Sequence, residues 1–270
     1  MPDKKPTKSK LPPLSVWEPE MLRLTLFPNK EALLNVDEFD NQTWWKDIFG
    51  MRPTRTERAP NNLFYREEGR LEKDKDQWIL VLQRNRIDWQ YVIDLEKEKE
   101  EGNDAPFTLG KFPFIIEEFL KPMKQWLTLQ TCPSASRLAF GAILLQRVKN
   151  LQDGYSQIAN YLHDNVKIDP GNISDFMYRI NKPRPSKENP DLKFNRLSTW
   201  SVAGFAKFQS TISGMELIQH LLPEKFACRL ELDISTNAEY KAGFTKDELF
   251  AIFDKLIGLG TEIAQEGDIK

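Results

Sequence analysis

Apolar and polar residues alternate along several short segments of the chain, which is the pattern of strands with one buried face. Residues 22–27 show this alternation, and residues 78–93 show it most strongly. The polar tripeptide Arg84-Asn85-Arg86 divides the second segment, and asparagine suits a tight turn. The segment therefore predicts two antiparallel strands joined at this tripeptide.

The second half of the chain starts again with strand patterns. Residues 138–145 are apolar on both faces, so we expect both faces of that strand to be covered. Residues 228–234 alternate cleanly, and strands are also predicted over 175–180 and 194–203. The proline-rich run 181–190 is predicted as a loop, because proline cannot donate to a strand ladder.

Four segments have helical patterns. Residues 112–127 form one broad apolar stripe of period 3.6, with Pro122 inside it. A short helix is predicted at 43–49, and another at 154–164 with Asp153 as its N-cap. The last helix starts at the capping box that begins with Thr245.

Each half of the chain has the order strand, short helix, several strands, long amphipathic helix. This order predicts an α+β fold of two similar units, by tandem duplication or as one continuous sheet, with antiparallel sheets backed by long amphipathic helices. It is also similar to folds of the TATA-binding-protein type. The alternative is an α+β chain without duplication. The predicted organisation is a flexible basic tail at 1–20 and units at 21–134 and 135–270.

Composition excludes several classes of protein. The 38 basic and 40 acidic residues nearly cancel, so no global field draws the chain to nucleic acid or to an anionic membrane. Two cysteines and two histidines leave no disulfide framework or four-thiolate metal site. We predict no metal and no cofactor. No secretory signal or membrane-spanning stretch is present, which predicts a cytoplasmic protein without membrane partners.

Catalytic signatures are missing from the sequence. It contains no phosphate-binding glycine loop, no GxSxG elbow and no HExxH or CxxC motif. Glu231 and Asp233 share one strand face about 7 Å apart, and such a pair can bind Mg²⁺ or divide acid and base roles. Alternation also creates such pairs on a solvated sheet face, and this reading is favoured. The protein is therefore predicted not to be an enzyme, although this stays open.

Thiols offer a second catalytic hypothesis. Cys132 or Cys228 could act as a nucleophile with His163 or His220 as base. Buried cysteines with a purely structural role are far commoner, and the sequence favours that reading.

Basic residues are dense in two segments that occupy matching places in the two halves. Exposed turns held by strong strands suit binding, and arginine contributes well to interfaces. We therefore predict partner contacts at six residues of the first turn and the later loop: Arg84, Asn85, Arg86, Lys182, Arg184 and Lys193. Acidic residues interleave with the basic ones, which favours a protein partner. The alternative is an accessory protein that binds single-stranded nucleic acid, with Trp89, Tyr91 and Trp200 stacking on bases.

Three stretches carry a family resemblance. The strand pair QWILVLQRNRIDWQYVI, the restart SRLAFGAILLQRVKN and the strand-loop-helix ending from 228 resemble a sporadically distributed family of uncharacterised bacterial proteins. The resemblance covers roughly residues 21–270 and implies no catalytic residues. The patchy distribution of that family implies a defence or mobile-element system. The combined prediction is a non-catalytic binding or regulatory subunit that recognises another protein.

Overall fold

The computed structural model describes residues 11–29, 43–59, 64–71, 76–94, 108–205, 208–213, 216–221, 225–240 and 242–268, with the backbone alone for 208–213 and 216–221. These residues form twelve β-strands and four α-helices. The protein is therefore a mixed α and β chain, as the hydrophobic pattern predicts. None of the described helices has the length and apolar character needed to cross a membrane.

The described residues of the first half form five strands and two helices. Their bounds are β1 Glu18–Pro28, α1 Trp44–Phe49, β2 Arg55–Arg58, β3 Tyr65–Gly69, β4 Asp76–Gln83, β5 Arg86–Ile93 and α2 Phe112–Thr128. The predicted strand pair is confirmed, because β4 and β5 pair antiparallel. The long helix is confirmed too, and it contains Pro122. The N-terminal tail prediction is wrong in part. Trp17 is fully buried and β1 starts at Glu18, while residues 1–10 lie outside the described residues.

In the second half, the part of the chain that the structure describes forms seven strands and two helices. Their bounds are β6 Ala135–Val148, α3 Leu151–Tyr161, β7 Met177–Asn181, β8 Arg184–Pro185, β9 Lys193–Phe205, β10 Phe208–Ser213, β11 Glu216–Leu221, β12 Lys225–Thr236 and α4 Lys246–Glu266. The capping box of α4 is confirmed. The prediction that Asp153 caps α3 is wrong, because the Asn150 side chain accepts the Asp153 backbone N–H at 2.8 Å. The predicted loop contains the short strand β8, and the β10–β11 hairpin was not predicted.

Ten of the strands form one continuous antiparallel sheet. Its order is β2-β3-β4-β5-β1-β6-β12-β9-β7, and β8 also pairs with β9. The two halves of the chain meet where β1 pairs with β6 in the middle of this order. Strands β10 and β11 pair as a separate ribbon. The large sheet therefore joins strands from both halves of the chain.

All four helices pack on one face of this sheet. The apolar alternate residues of β1 and β5, such as Leu24 and Trp89, are fully buried there. Helix α4 lies against β6 and β12, where a side chain at Gly260 would approach the Phe140 ring within 3.1 Å. The expectation that all helices are long is wrong for α1 and α3, which span 6 and 11 residues.

The prediction that both faces of β6 are covered needs correction. Helices cover the face that carries Phe140 and Leu144, which are fully buried. Ile143 points to the other face and is half-buried. Leu145 also lies on that face and is buried. Since the helices lie on the opposite face, neighbouring side chains of the sheet bury Leu145.

Candidate functional site

The four helices leave the other face of the sheet without a helical cover. We call this face the open face. Alternation along each strand decides which side chains it presents, and the register of the central strands places these residues on it: Met21, Arg23, Thr25, Phe27, Ile79, Val81, Asp88, Gln90, Val92, Gly141, Ile143, Leu197, Thr199, Glu231 and Asp233.

Many charges on the open face neutralise one another within a strand. Because residues i and i+2 share a face, arginines and acids two positions apart form ion pairs: Arg66 with Glu68, Arg86 with Asp88, and Arg229 with Glu231. Asp88 also accepts the Thr25 hydroxyl at 2.5 Å and is only 5% exposed. The face is therefore a surface of mixed and largely paired charge.

A groove of about 620 Å³ lies on the open face, lined mostly by residues of the first half of the chain. Its apolar lining includes Met21, Val92 and Ile143. Its charged lining includes Arg66, paired with Glu68, and Arg70, which forms an ion pair with the buried Asp94. Apolar side chains among mixed charges have the composition of protein interfaces.

In the predicted contact turn between β4 and β5, some side chains are exposed and one already forms an ion pair. Arg84 and Asn85 are exposed at its tip. Arg86 already binds Asp88 at 2.6 Å, and its guanidinium lies 6.0 Å from the centre of the Phe27 ring. Two of the three predicted residues are therefore available to a partner.

In the predicted contact loop, two of the three basic residues already bind other parts of the chain. Lys182 donates to the backbone carbonyl of Asp268 at 2.8 Å, and Arg184 makes a bidentate pair with Glu262 at 2.7 and 2.8 Å. Lys193 is exposed and lines a shallow pocket beside Tyr240. The loop and the turn lie at the same end of the strands, five strand spacings or about 24 Å apart.

Glu231 and Asp233 do lie on one strand face, but they do not build a catalytic pair. Glu231 is occupied by Arg229. The described residues contain no group of three or more potential metal ligands. The acid-base hypothesis therefore has no supporting geometry in this part of the chain.

The thiol hypothesis meets a similar difficulty. Cys132 and Cys228 are both buried, and burial raises the pKa of each thiol to about 12. A thiol with such a pKa carries almost no thiolate at neutral pH. His163 is exposed, and the side chain of His220 lies outside the described residues.

One carboxyl group lies away from the open face, on the side of the helices. Glu67 is 5% exposed, and its Oε1 accepts the Tyr65 hydroxyl at 3.0 Å. Its Oε2 is buried without a hydrogen-bond partner. Burial raises the pKa of Glu67, and the Tyr65 hydroxyl lowers it to a smaller extent.

We expect Glu67→Gln to stabilise the protein at neutral pH by about 1 kcal/mol, because it removes a poorly compensated buried charge. A raised folded pKa means that the folded state binds the proton more tightly. The destabilisation by the buried Glu67 charge is therefore absent below the pKa that Glu67 has in the unfolded chain, and it grows as the pH rises through and above that value.

Thermal melts of Glu67→Gln and the wild type at pH 4 and pH 7.5 measure the difference in stability. Glu68→Gln, which breaks an ion pair on the open face, is the control and should give no gain. An equal gain at both pH values would contradict the assignment.

The aromatic residues required for base stacking are not available. Trp89 and Trp200 are fully buried on the helix side of the sheet, and Tyr91 is 3% exposed. Trp200 stacks on Tyr161 at 5.2 Å between ring centres. These rings belong to the core, so the sequence-based expectation that they contact nucleic acid is wrong.

Comparisons with protein-family models, curated proteins and solved structures found no match for this chain. Sequence reasoning missed the central row of this face, where Gln90, Arg23, Gly141 and Asp233 lie side by side on four strands. Alternation around Arg23 shows that it points away from the core, but no local signal specifies its cross-strand neighbours.

Proposed function

We propose that this chain is a non-catalytic binding or regulatory subunit that recognises another protein through the open face. The observation that carries the proposal is the composition of that face. Apolar side chains such as Met21, Val92 and Ile143 lie among ion-paired charges, on a rigid sheet with its helices on the other side. Protein interfaces combine these features.

Charge distribution makes nucleic acid the less well supported partner. Polyanion binding needs arginines and lysines that are free to replace counterions. On the open face, Arg66, Arg86 and Arg229 are each neutralised by an acid on the same strand. Arg147 pairs with Glu18 at 3.1 Å.

We also propose that residues 21–134 and 135–270 are two equivalent units, as in folds of the TATA-binding-protein type. The order of strands supports this. Outward from the central pair, β1 is followed by β5, β4 and β3, and β6 is followed by β12, β9 and β7. Each unit would then contribute half of the open face.

Site-specific photo-crosslinking tests the proposed function. We expect p-benzoylphenylalanine at Val81 or Leu197, on the two halves of the open face, to capture one and the same protein in host cells. The matched control positions are Phe114 and Phe250, which are 66% and 36% exposed on helices. The captured protein, once purified, should bind the full chain, and the Arg84→Ala/Lys193→Ala variant should bind it several-fold more weakly.

Equal capture from the helix positions would contradict the proposal. Retention of single-stranded nucleic acid with a steep salt dependence would replace it with the nucleic-acid alternative.

A further inference from the structure

The outer edge of β7 is a strand edge without a partner. Strand β7 ends the large sheet and, among the described residues, pairs with β9 alone. Strand β8 continues along β9 in the same register. The Lys182 N–H donates to the Arg196 carbonyl at 3.3 Å, and further along the Ser186 N–H donates to the Leu192 carbonyl at 2.8 Å. Bonded and non-bonded pairs alternate in an antiparallel ladder. The backbone groups of even-numbered residues therefore point to β9, and those of odd-numbered residues point outward.

Other parts of the sheet edges are closed to further pairing. Pro183 and Pro185 fall at outward positions and have no N–H to donate. On the opposite edge of the sheet, all residues of β2 are exposed, and Arg55, Glu57 and Arg58 among them are charged. Prolines and charges keep the edges of native sheets from pairing with other chains. Strand β7 has no proline and a single charge, so it is the open part of its edge.

Strand β7 also carries apolar side chains that a further strand would cover. Met177, on the open face, is 70% exposed, the largest value for a large apolar side chain in the described chain. Tyr178 lies opposite the buried Trp200, so Tyr178 and Ile180 are on the helix side of the sheet. Both are half-buried at the end of the sheet. An added strand would therefore remove apolar surface from water on both faces.

The single charge of β7 indicates what the added strand carries. Arg179 lies in the middle of β7 with its backbone N–H and C=O outward, and its side chain is exposed. Its neighbour across the ladder is the uncharged Thr199, and neither β7 nor β9 contains an acidic residue. Within the described chain, Arg179 forms no ion pair. Opposite charges on directly paired residues stabilise a ladder and like charges destabilise it, so an acidic residue is favoured opposite Arg179.

We propose that the edge of β7 binds an extended acidic segment of another protein as a further strand of the sheet. The segment has aspartate or glutamate opposite Arg179, on the open face. The residues on either side of this acid are apolar and lie beside Tyr178 and Ile180 on the helix side. Backbone hydrogen bonds to the outward groups of Arg179 hold the segment, and the side chains give it specificity. The inference goes beyond the proposed function, because it concerns the edge of the sheet and does not require the open face to bind.

Titration of the ¹⁵N-labelled full chain with a probe peptide, followed by NMR, tests the proposal. The probe has nine residues in which valine alternates with threonine, and its central residue is glutamate. We expect the Arg179 amide proton to shift downfield and to exchange more slowly with solvent, because it gains a carbonyl acceptor. A second probe with lysine at the centre should bind about threefold or more weakly. The Arg179→Glu variant should reverse this preference and bind the lysine probe more tightly than the glutamate probe.

A backbone variant separates strand addition from simple charge attraction. Arg179→Pro removes an outward N–H without breaking a bond to β9, and it should weaken binding of the glutamate probe about tenfold or more. The matched control is Arg55→Glu, which makes the charge reversal of Arg179→Glu on the opposite edge and should leave binding unchanged within about twofold. Circular dichroism checks that each variant folds. If Arg179→Pro does not fold, the reversed preference of Arg179→Glu still decides the proposal.

No change at the Arg179 amide with the glutamate probe at about 5 mM would overturn the inference. Equal binding of the two probes, or undiminished binding to a folded Arg179→Pro chain, would overturn it too. The proposed function fails separately. Probe binding at β7 together with equal crosslinking from Val81 and from the helix position Phe114 would support the edge site and contradict recognition through the open face.

Discussion

Deletion of residues 245–270 is expected to leave a chain that no longer unfolds cooperatively. Helix α4 buries seven large apolar side chains against the sheet: Leu249, Ile252, Phe253, Leu256, Ile257, Leu259 and Ile263. At about 1.5–3 kcal/mol each, their loss removes on the order of 10 kcal/mol or more, which matches the total stability of a typical domain. Denaturant titration followed by circular dichroism and tryptophan fluorescence measures the effect.

Two phenylalanines of α4 provide a matched pair of point variants. Phe253 is fully buried, and Phe253→Ala should lower the free energy of unfolding by about 3–5 kcal/mol. Phe250 is 36% exposed and contacts only a cation at its ring face, Lys124 at 4.5 Å, among the described ring contacts. Phe250→Ala should therefore cost about 1 kcal/mol or less. Equal losses, or cooperative unfolding of the deleted chain, would contradict the placement of α4.

Glu262→Gln is expected to lower the free energy of unfolding by about 2–4 kcal/mol, because it leaves a buried arginine without its ionic partner. Arg196 is 5% exposed, and its Nη2 lies 3.1 Å from Glu262 Oε1. Burial lowers the pKa of Arg196, whereas the hydrogen bonds that Arg184 donates to the Glu262 carboxylate raise the pKa of Arg184. Glu262 thus connects α4 to two strands at the edge of the sheet.

Asp254→Asn on the same helix is the control. Asp254 binds Lys124 at 2.6 Å, but its side chain is 44% exposed, so the loss should be about 1 kcal/mol or less. Urea titrations of both variants at neutral pH give the comparison. A loss at Glu262 no larger than the loss at Asp254 would show that the buried cluster does not hold the helix.

The Glu262 cluster also explains why two basic residues of the predicted contact loop already bind other parts of the chain. The pattern around 181–193 indicates exposed basic residues between strands. The structure brings the C-terminal turn of α4 against this loop, so Lys182 and Arg184 bind Asp268 and Glu262. Those acids lie about eighty positions further along the chain, and no local pattern could relate them to the loop.

Local patterns did predict the elements that depend on neighbouring residues. The β4–β5 pair followed from alternation on both sides of the Arg84-Asn85-Arg86 tripeptide, although Arg86 itself belongs to β5. The start of α4 followed from the Thr245 capping box. Errors arose where two local signals compete. Asn150 and Asp153 are both good cap residues, and the structure uses Asn150.

The sequence by itself determined most of the strands and helices and which side of the alternating strands is apolar, because backbone periodicity is a local property. Only the tertiary structure decided the order of the strands and their register, since these depend on pairing between distant segments. Pairing of β1 with β6, and of β6 with β12, brings Arg23, Gly141 and Asp233 into one row. That row forms only when strands from both halves of the chain pair in one sheet, so no short segment of the sequence contains all three residues.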